Sequence, residues 1–339
     1  MSRIEQFLLG SGHNRTAIHI GLVNNMPDAA LRTTELQFAR LLKDAAGPLD
    51  VRLRLFSLRS IPRGPETRTR MAGFYDDAAF LEAANIDALI VTGSPAGAAD
   101  LRREPYWSEL TGLIDWAQTG TLSTLFSGLA AQAAVLHLDG IIHRPLARKL
   151  SGVYDSRQAE DDPLFFNAAS TVPVPHSRQS DIAESDLAAK GYRVLARLAA
   201  KGDGAKGDVA KGDIDSQVDI FTRETPGSSQ LVFLQGHPEY DPGTLGRQFL
   251  HDMTAFRAGE TAERPAIPEH YFDRATENML AEFGTKADVG LYRETVLSAL
   301  PRQVWRNSAV RLIGNWLLLV AAAKARRATS KTVHTRRRA

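Results

Sequence analysis

The stretch LSTLFSGLAAQAAVLHLDG, Leu122 to Gly140, decides the fold. Leu122 to Phe126 is a short run of β-formers, and Leu129 to Leu138 is an alanine-rich helical segment stopped by Gly140. Only Ser127 and Gly128 separate the two, so a strand runs almost directly into a helix. Outward from here the same alternation recurs. Ile18 to Val23 reads as a buried strand, and Leu31 to Leu42 has apolar residues at helical spacing before Gly47-Pro48. Val51, Leu53 and Leu55 alternate with Arg52 and Arg54, which places that strand near a sheet edge. Ala88 to Val91 is another strand, and Trp107 to Trp116 another helix. Strands alternating with helices at this pace predict an α/β fold with a mostly parallel sheet flanked by helices.

The second half keeps the rhythm less strictly. Strands are predicted at Val153–Asp155, Val172–Val174, Tyr192–Leu195, Val218–Thr222 and Leu231–Leu234, and a helix at Thr244–Ala258. Lys201-Gly202-Asp203, Lys206-Gly207-Asp208 and Lys211-Gly212-Asp213 repeat one tripeptide that can bury nothing, so 200–215 reads as a surface-loop insertion at a hairpin tip. Residues 1–16 read as an N-terminal extension, 17–322 as the α/β domain and 323–339 as a basic, disordered tail.

The chain has 339 residues, 43% of them hydrophobic and 24% charged, which suits a folded core and excludes a disordered chain. The net charge is +2, yet Lys324, Arg326, Arg327, Lys331, Arg336, Arg337 and Arg338 crowd the end without an acid, leaving the remainder at −5. The basic character therefore belongs to the tail, and no nucleic-acid partner is expected. Phe7-Leu8-Leu9-Gly10 is too short for an apolar targeting core, and Trp316 to Ala323 is too short to span a bilayer. The expectation is a cytoplasmic protein with no membrane partner. There is no cysteine, which rules out disulfides, thiolate metal sites and a cysteine nucleophile. No phosphate loop, dinucleotide fingerprint or metal-ligand cluster is present, so no bound metal or cofactor is expected.

Ligands of open parallel sheets bind beyond the carboxyl ends of the strands. Three strand ends carry suggestive residues: Thr92-Gly93-Ser94-Pro95, Phe126-Ser127-Gly128-Leu129 and Gln235-Gly236-His237-Pro238-Glu239. In the last, Glu239 can orient the His237 imidazole, which can then move a proton. The same pattern also suits a histidine capping a strand end with Glu239 exposed. A zinc-deaminase reading fails for want of Cys-x-x-Cys. The middle strand end has the form of a nucleophile elbow with Gly128 at its apex, and equally that of a plain tight turn.

Taken in order, Asn24-Asn25-Met26-Pro27, Val91-Thr92-Gly93-Ser94-Pro95, Tyr106-Trp107, Ser123-Thr124-Leu125-Phe126, Ala131-Gln132-Ala133-Ala134, Lys149-Leu150-Ser151-Gly152-Val153-Tyr154, Pro175-His176-Ser177-Arg178, Gly236-His237-Pro238-Glu239-Tyr240-Asp241 and Asn315-Trp316 resemble the homoserine O-succinyltransferase family. The resemblance runs from about residue 18 to about 320. It implies a flavodoxin-like sandwich similar to class I glutamine amidotransferases, and transfer of a succinyl or acetyl group from coenzyme A to homoserine in methionine biosynthesis. It further implies that His237 and Glu239 are catalytic and that Lys149, Ser177 and Arg178 hold substrate. Gly97 matches a position where glycine accompanies succinyl-CoA rather than acetyl-CoA. Backbone amides near Gly93, Ser94 and Leu129 would form the oxyanion hole. The implied partners are small-molecule substrates and a second copy in a homodimer.

Two positions depart from the family pattern. The family's substrate-contacting arginine falls closer to His251 than to Arg247, and a neutral imidazole is no bidentate partner for a carboxylate. The family's cysteine nucleophile falls on Gly128. Three readings follow. Ser127 replaces the thiol, which alternation along a strand disfavours because its hydroxyl then faces away from His237. Homoserine attacks the thioester directly, with His237 as base. Or the chain is a catalytically impaired relative that binds acyl-CoA or homoserine in a regulatory or scaffolding role.

Overall fold

The computed structural model describes residues 17–94, 100–199, 217–282, 289–299 and 301–336. The predicted extension at 1–16, Gly97 and the loop at 200–215 lie outside the described residues. Ten strands form one sheet in the order β3-β2-β1-β4-β5-β10-β9-β8-β6-β7. β1 (Ile18–Val23), β2 (Val51–Ser57), β3 (Tyr75–Asp77), β4 (Ala88–Thr92), β5 (Ser123–Ser127) and β10 (Gln230–Leu234) run parallel. Every residue of β4 and β5 is buried, as strands covered on both faces must be. The alternating strand β2 lies second from the edge, beside the three-residue β3.

Period two along the strands divides the core into two layers. Phe126 and Phe233 point to one face, where they stack at 5.4 Å beneath α3 (Trp107–Gly120) and α4 (Leu129–Asp139). Leu125 and Val232 point to the other, under α1 (Asp28–Ala45) and the last helix, α9 (Arg306–Arg336). α2 (Pro65–Met71) buries no residue.

The remaining strands, β6 (Arg144–Gln158), β7 (Thr171–Asp181), β8 (Arg193–Leu198) and β9 (Val218–Arg223), extend the sheet antiparallel. This half explains the weaker rhythm of the sequence: it contributes long paired strands rather than βα units, with the six-residue α5 (Glu184–Ala189) the only α-helix among them in the described residues. β8 and β9 are antiparallel neighbours. Beyond β10, α6 (Thr244–Arg257), α7 (Arg274–Glu282) and α8 (Val289–Ser298) gather a separate apolar cluster around Phe249, Tyr292 and Trp305.

One boundary needs correction. Over residues 323–336 the expected disordered tail is instead a continuation of α9; residues 337–339 lie outside the described residues. Alanine, lysine and arginine are strong helix formers, and Lys324 is tied down by the Ala17 carbonyl and the Asp87 carboxylate, each at 2.6 Å. Within α9, Arg306–Thr329 is long and apolar enough to cross a membrane by length and composition. Part of it packs onto the protein itself: Trp316 and Leu317 are fully buried, and the Trp316 indole donates to Ser123 Oγ at 2.9 Å.

Candidate active site

Parallel pairing brings the three chosen strand ends together. Ser127, the last residue of β5, is in register with Thr92 on β4 and with Leu234 on β10. The residues that follow each strand therefore leave the same edge side by side. Gly128 is held there by its amide, which donates to the Leu234 carbonyl at 2.8 Å. Its backbone has φ +59° and ψ −123°, a region that strongly favours glycine. A Cβ built on Gly128 would lie 2.9 Å from Cε1 and 3.4 Å from Nε2 of His237. The apex of the elbow thus faces the histidine across a gap that no side chain from position 128 fills. Ser127 is buried one residue earlier.

His237 is fixed on several sides. Its Nδ1 lies 2.9 Å from Glu239 Oε1, so Glu239 orients the ring and leaves Nε2 toward Gly128. Glu239 is only 4% exposed, which replaces the alternative of an exposed carboxylate beside a capping histidine. The Tyr240 ring stacks on the imidazole, with centroids 4.3 Å apart and planes within 6°. Burial pushes the Tyr240 phenol well above its usual range, so it is a neutral plate, and its hydroxyl accepts a hydrogen bond from Gln248 on α6. Gln303 and the Trp305 indole both donate to the Tyr240 carbonyl at 2.9 Å. On the far side, the His237 amide donates to Pro175 of β7 at 2.8 Å.

The turn after β4 closes the other flank. A Cβ on Gly93 would fall 2.6 Å from Leu129 Cβ and 2.9 Å from the Ala130 nitrogen, so only glycine permits this approach to the start of α4. The backbone near Gly93 and Ser94 and the first amides of α4 therefore stand close together, a suitable cradle for developing negative charge. Asn25 ties β1 to this turn: its amide donates to Thr92 Oγ1 and its side chain to the Thr92 carbonyl. Tyr106 borders the same turn, its phenol pushed up to about 12 by burial.

The predicted substrate-holding residues divide. Lys149 on β6 donates to Asp252 on α6 at 2.6 Å, one helical turn from the Gln248 that supports Tyr240. Ser177 is half-buried on β7, two residues beyond the Pro175 that receives the His237 amide. Arg178 does not join them, and the expectation that it contacts substrate is corrected. Alternation on β7 turns it to the face opposite Ser177. There it is 7% exposed, donates to the Val218 carbonyl and Gln217 Oε1, and pairs with Asp181 at 3.1 Å. His251 and Arg247 are both exposed on α6, and Arg247 bonds Thr244. Sequence reasoning missed Tyr240, Gln248 and Asp252 as supports. The spacing of Gln248 and Asp252, four apart on a predicted helix, was the available signal.

Among the described residues no group of acidic, histidine or cysteine side chains could hold a metal ion. The arrangement is an oriented base beside a side-chain-free elbow and a backbone amide cradle, suited to acyl transfer.

Residues 10–326 match the family model described as homoserine O-succinyltransferase. A homoserine O-succinyltransferase from Rhodopseudomonas palustris is 44% identical over 313 residues, covering 90% of this chain and 89% of that protein. One from Methylorubrum extorquens is also 44% identical, covering 90% and 87%. One from Thiobacillus denitrificans is 33% identical over 311 residues, covering 88% and 82%. In fold, the chain is similar to the crystal structure of a glutamine amidotransferase from Thermotoga maritima, with TM-score 0.50 at 11% identity over 91% of this chain and 99% of that one.

Proposed function

This chain belongs to the homoserine O-succinyltransferase family, and from that premise we propose that it moves the succinyl group of succinyl-CoA to the hydroxyl of L-homoserine by direct attack, without an acyl-enzyme. The observation that carries this reading is the direction of His237: Nδ1 is engaged by Glu239, while Nε2 faces Gly128. Where a nucleophile would stand on the elbow, the homoserine hydroxyl enters instead. Nε2 takes its proton, and the hydroxyl oxygen forms a bond to the thioester carbonyl carbon. The tetrahedral oxyanion is stabilised by amides near Gly93, Ser94 and Leu129. It collapses with cleavage of the carbon–sulfur bond, and the coenzyme A thiolate takes the proton from His237. The products are O-succinylhomoserine and free coenzyme A.

Energetics permit this route. Loss of the nucleophile from a catalytic triad costs about a millionfold, or about 8 kcal/mol. Orienting two bound reactants supplies about 7–11 kcal/mol. Lys149 and Ser177 hold homoserine in this reading, with Asp252 positioning the lysine. The succinyl donor follows from the match at Gly97, and the reaction is placed in the cytoplasm, in a homodimer that takes no metal or cofactor.

The absence of cysteine simplifies the assay, because a thiol reagent reports only released coenzyme A. Succinyl-CoA and homoserine should release coenzyme A together with O-succinylhomoserine, and His237→Ala should abolish both. A second reading, a catalytically impaired relative that binds acyl-CoA or homoserine in a regulatory role, is favoured by one observation: glycine relieves the strain of the elbow at φ +59°. An inactive native chain that gains turnover as Gly128→Cys would support that second reading and overturn direct transfer.

A further inference from the structure

We propose that Asp219, a buried carboxylate bracketed by His176 and Ser156, is the positioning residue of His237, holding the Gly236-His237 backbone so that the imidazole stands over Gly128. This rests on the reading of His237 as the general base. Asp219 and His176 are 0% exposed and Ser156 is 1% exposed, so none of them touches substrate. Asp219 Oδ2 accepts the Ser156 hydroxyl at 2.5 Å. Its Oδ1 accepts the Gly236 amide at 3.2 Å and lies 3.3 Å from His176 Nε2. The Asp219 carbonyl also accepts the Gln235 amide at 2.9 Å. One residue therefore grips the two successive peptide groups that lead into His237.

The fit is close. A Cβ on Gly236 would fall 2.9 Å from both Asp219 Oδ1 and His176 Nε2, and 2.4 Å from Val174 Cγ1. The next amide, that of His237, is fixed by Pro175, the neighbour of His176 on β7. The loop is thus pinned from β9 and β7 at once. Burial works against charge on Asp219, yet His176, Ser156 and Arg178 together hold its carboxyl below the usual range. Burial likewise depresses the His176 pKa, against the pull of the neighbouring Asp219 carboxylate. A buried charge is costly to maintain and is weak evidence of stability in itself. Its placement against the backbone of the base accounts for it.

The test uses the full chain carrying Asp219→Asn, Ser156→Ala, or the remote control Asp115→Asn. Misplacement of a reacting group by about 1 Å can cost about a hundredfold. On that scale Asp219→Asn should lower kcat by roughly 10- to 100-fold and Ser156→Ala by roughly 3- to 10-fold. KM for both substrates should stay within about twofold, as expected when only transition-state placement is lost. Nitrogen-15 spectra of the His237 ring should change in both variants and not in the control. If kcat and the ring spectrum are unchanged while thermal stability falls, the cluster is merely structural and the proposal is overturned. If Asp219→Asn fails to fold, Ser156→Ala decides. If the native chain is inactive, the proposed reaction fails, and the ring spectrum still decides the positioning role.

Discussion

Substituting Gly128 by alanine tests the elbow directly. The backbone at φ +59° and ψ −123° is one that L residues adopt only under strain, at a cost of about 1–3 kcal/mol. The added methyl would also sit 2.9 Å from His237 Cε1, closer than real Cβ contacts, so the imidazole must shift by a few tenths of an ångström. That ring is held by Glu239 and by the Tyr240 stack, which resist the shift. The expected loss of stability, about 1–3 kcal/mol, corresponds to a fall in Tm of roughly 1–4 °C for a chain of this size. The activity loss should be larger in proportion, because the methyl takes the place of the incoming hydroxyl and displaces its base, on the order of a hundredfold in kcat. Calorimetry and the coenzyme A release assay read the two effects separately. An alanine variant with native Tm and native kcat would refute both the strain at Gly128 and the use of the space beside it.

Arg178→Met should destabilise the protein by about 1–3 kcal/mol by taking the donor from the Val218 carbonyl and Gln217 Oε1 and the cation from Asp181, while KM for homoserine in the folded fraction stays unchanged; denaturant titration with steady-state kinetics checks this. Glu239→Gln should leave the fold intact and lower kcat by roughly 10²- to 10⁴-fold through misorientation of His237, measured beside a thermal melt. Acid lability should appear below the ordinary histidine range. Burial depresses the His176 pKa, so the unfolded chain binds more protons than the folded one once pH falls below about 6.5, and stability drops as pH decreases. Asp219, also depressed, adds to the loss only at more acid pH, near and below the usual carboxylate range. Tm measured from pH 7.5 to 5 should therefore fall, and His176→Asn should flatten that slope.

Much of the parallel half was legible because its strands are short apolar runs punctuated by glycine, proline and asparagine, and its helices carry clear periodicity. The three strand ends could be chosen from the residues alone because a parallel sheet places all such ends on one edge. The elbow was legible as a spacing, strand to helix through Ser127 and Gly128. What was not legible depended on tertiary contact. Arg178 reads like Ser177 in the motif they share, and only the pleat of β7 separates a buried cation from a half-exposed hydroxyl. Asp219 lies within a strand of apolar neighbours, and nothing local reveals that Gly236 comes to rest against it. The end of α9 is not legible either, because its charge suggests solvent, whereas Lys324 reaches back to Ala17 and Asp87 through contacts that no local pattern records.

The central claim is that both substrates react together at an elbow without a nucleophile. Initial rates measured while succinyl-CoA and homoserine are both varied test it most directly. Direct transfer predicts intersecting double-reciprocal lines and no succinyl adduct on the intact protein by mass spectrometry. Parallel lines with a protein-bound succinyl group would contradict it.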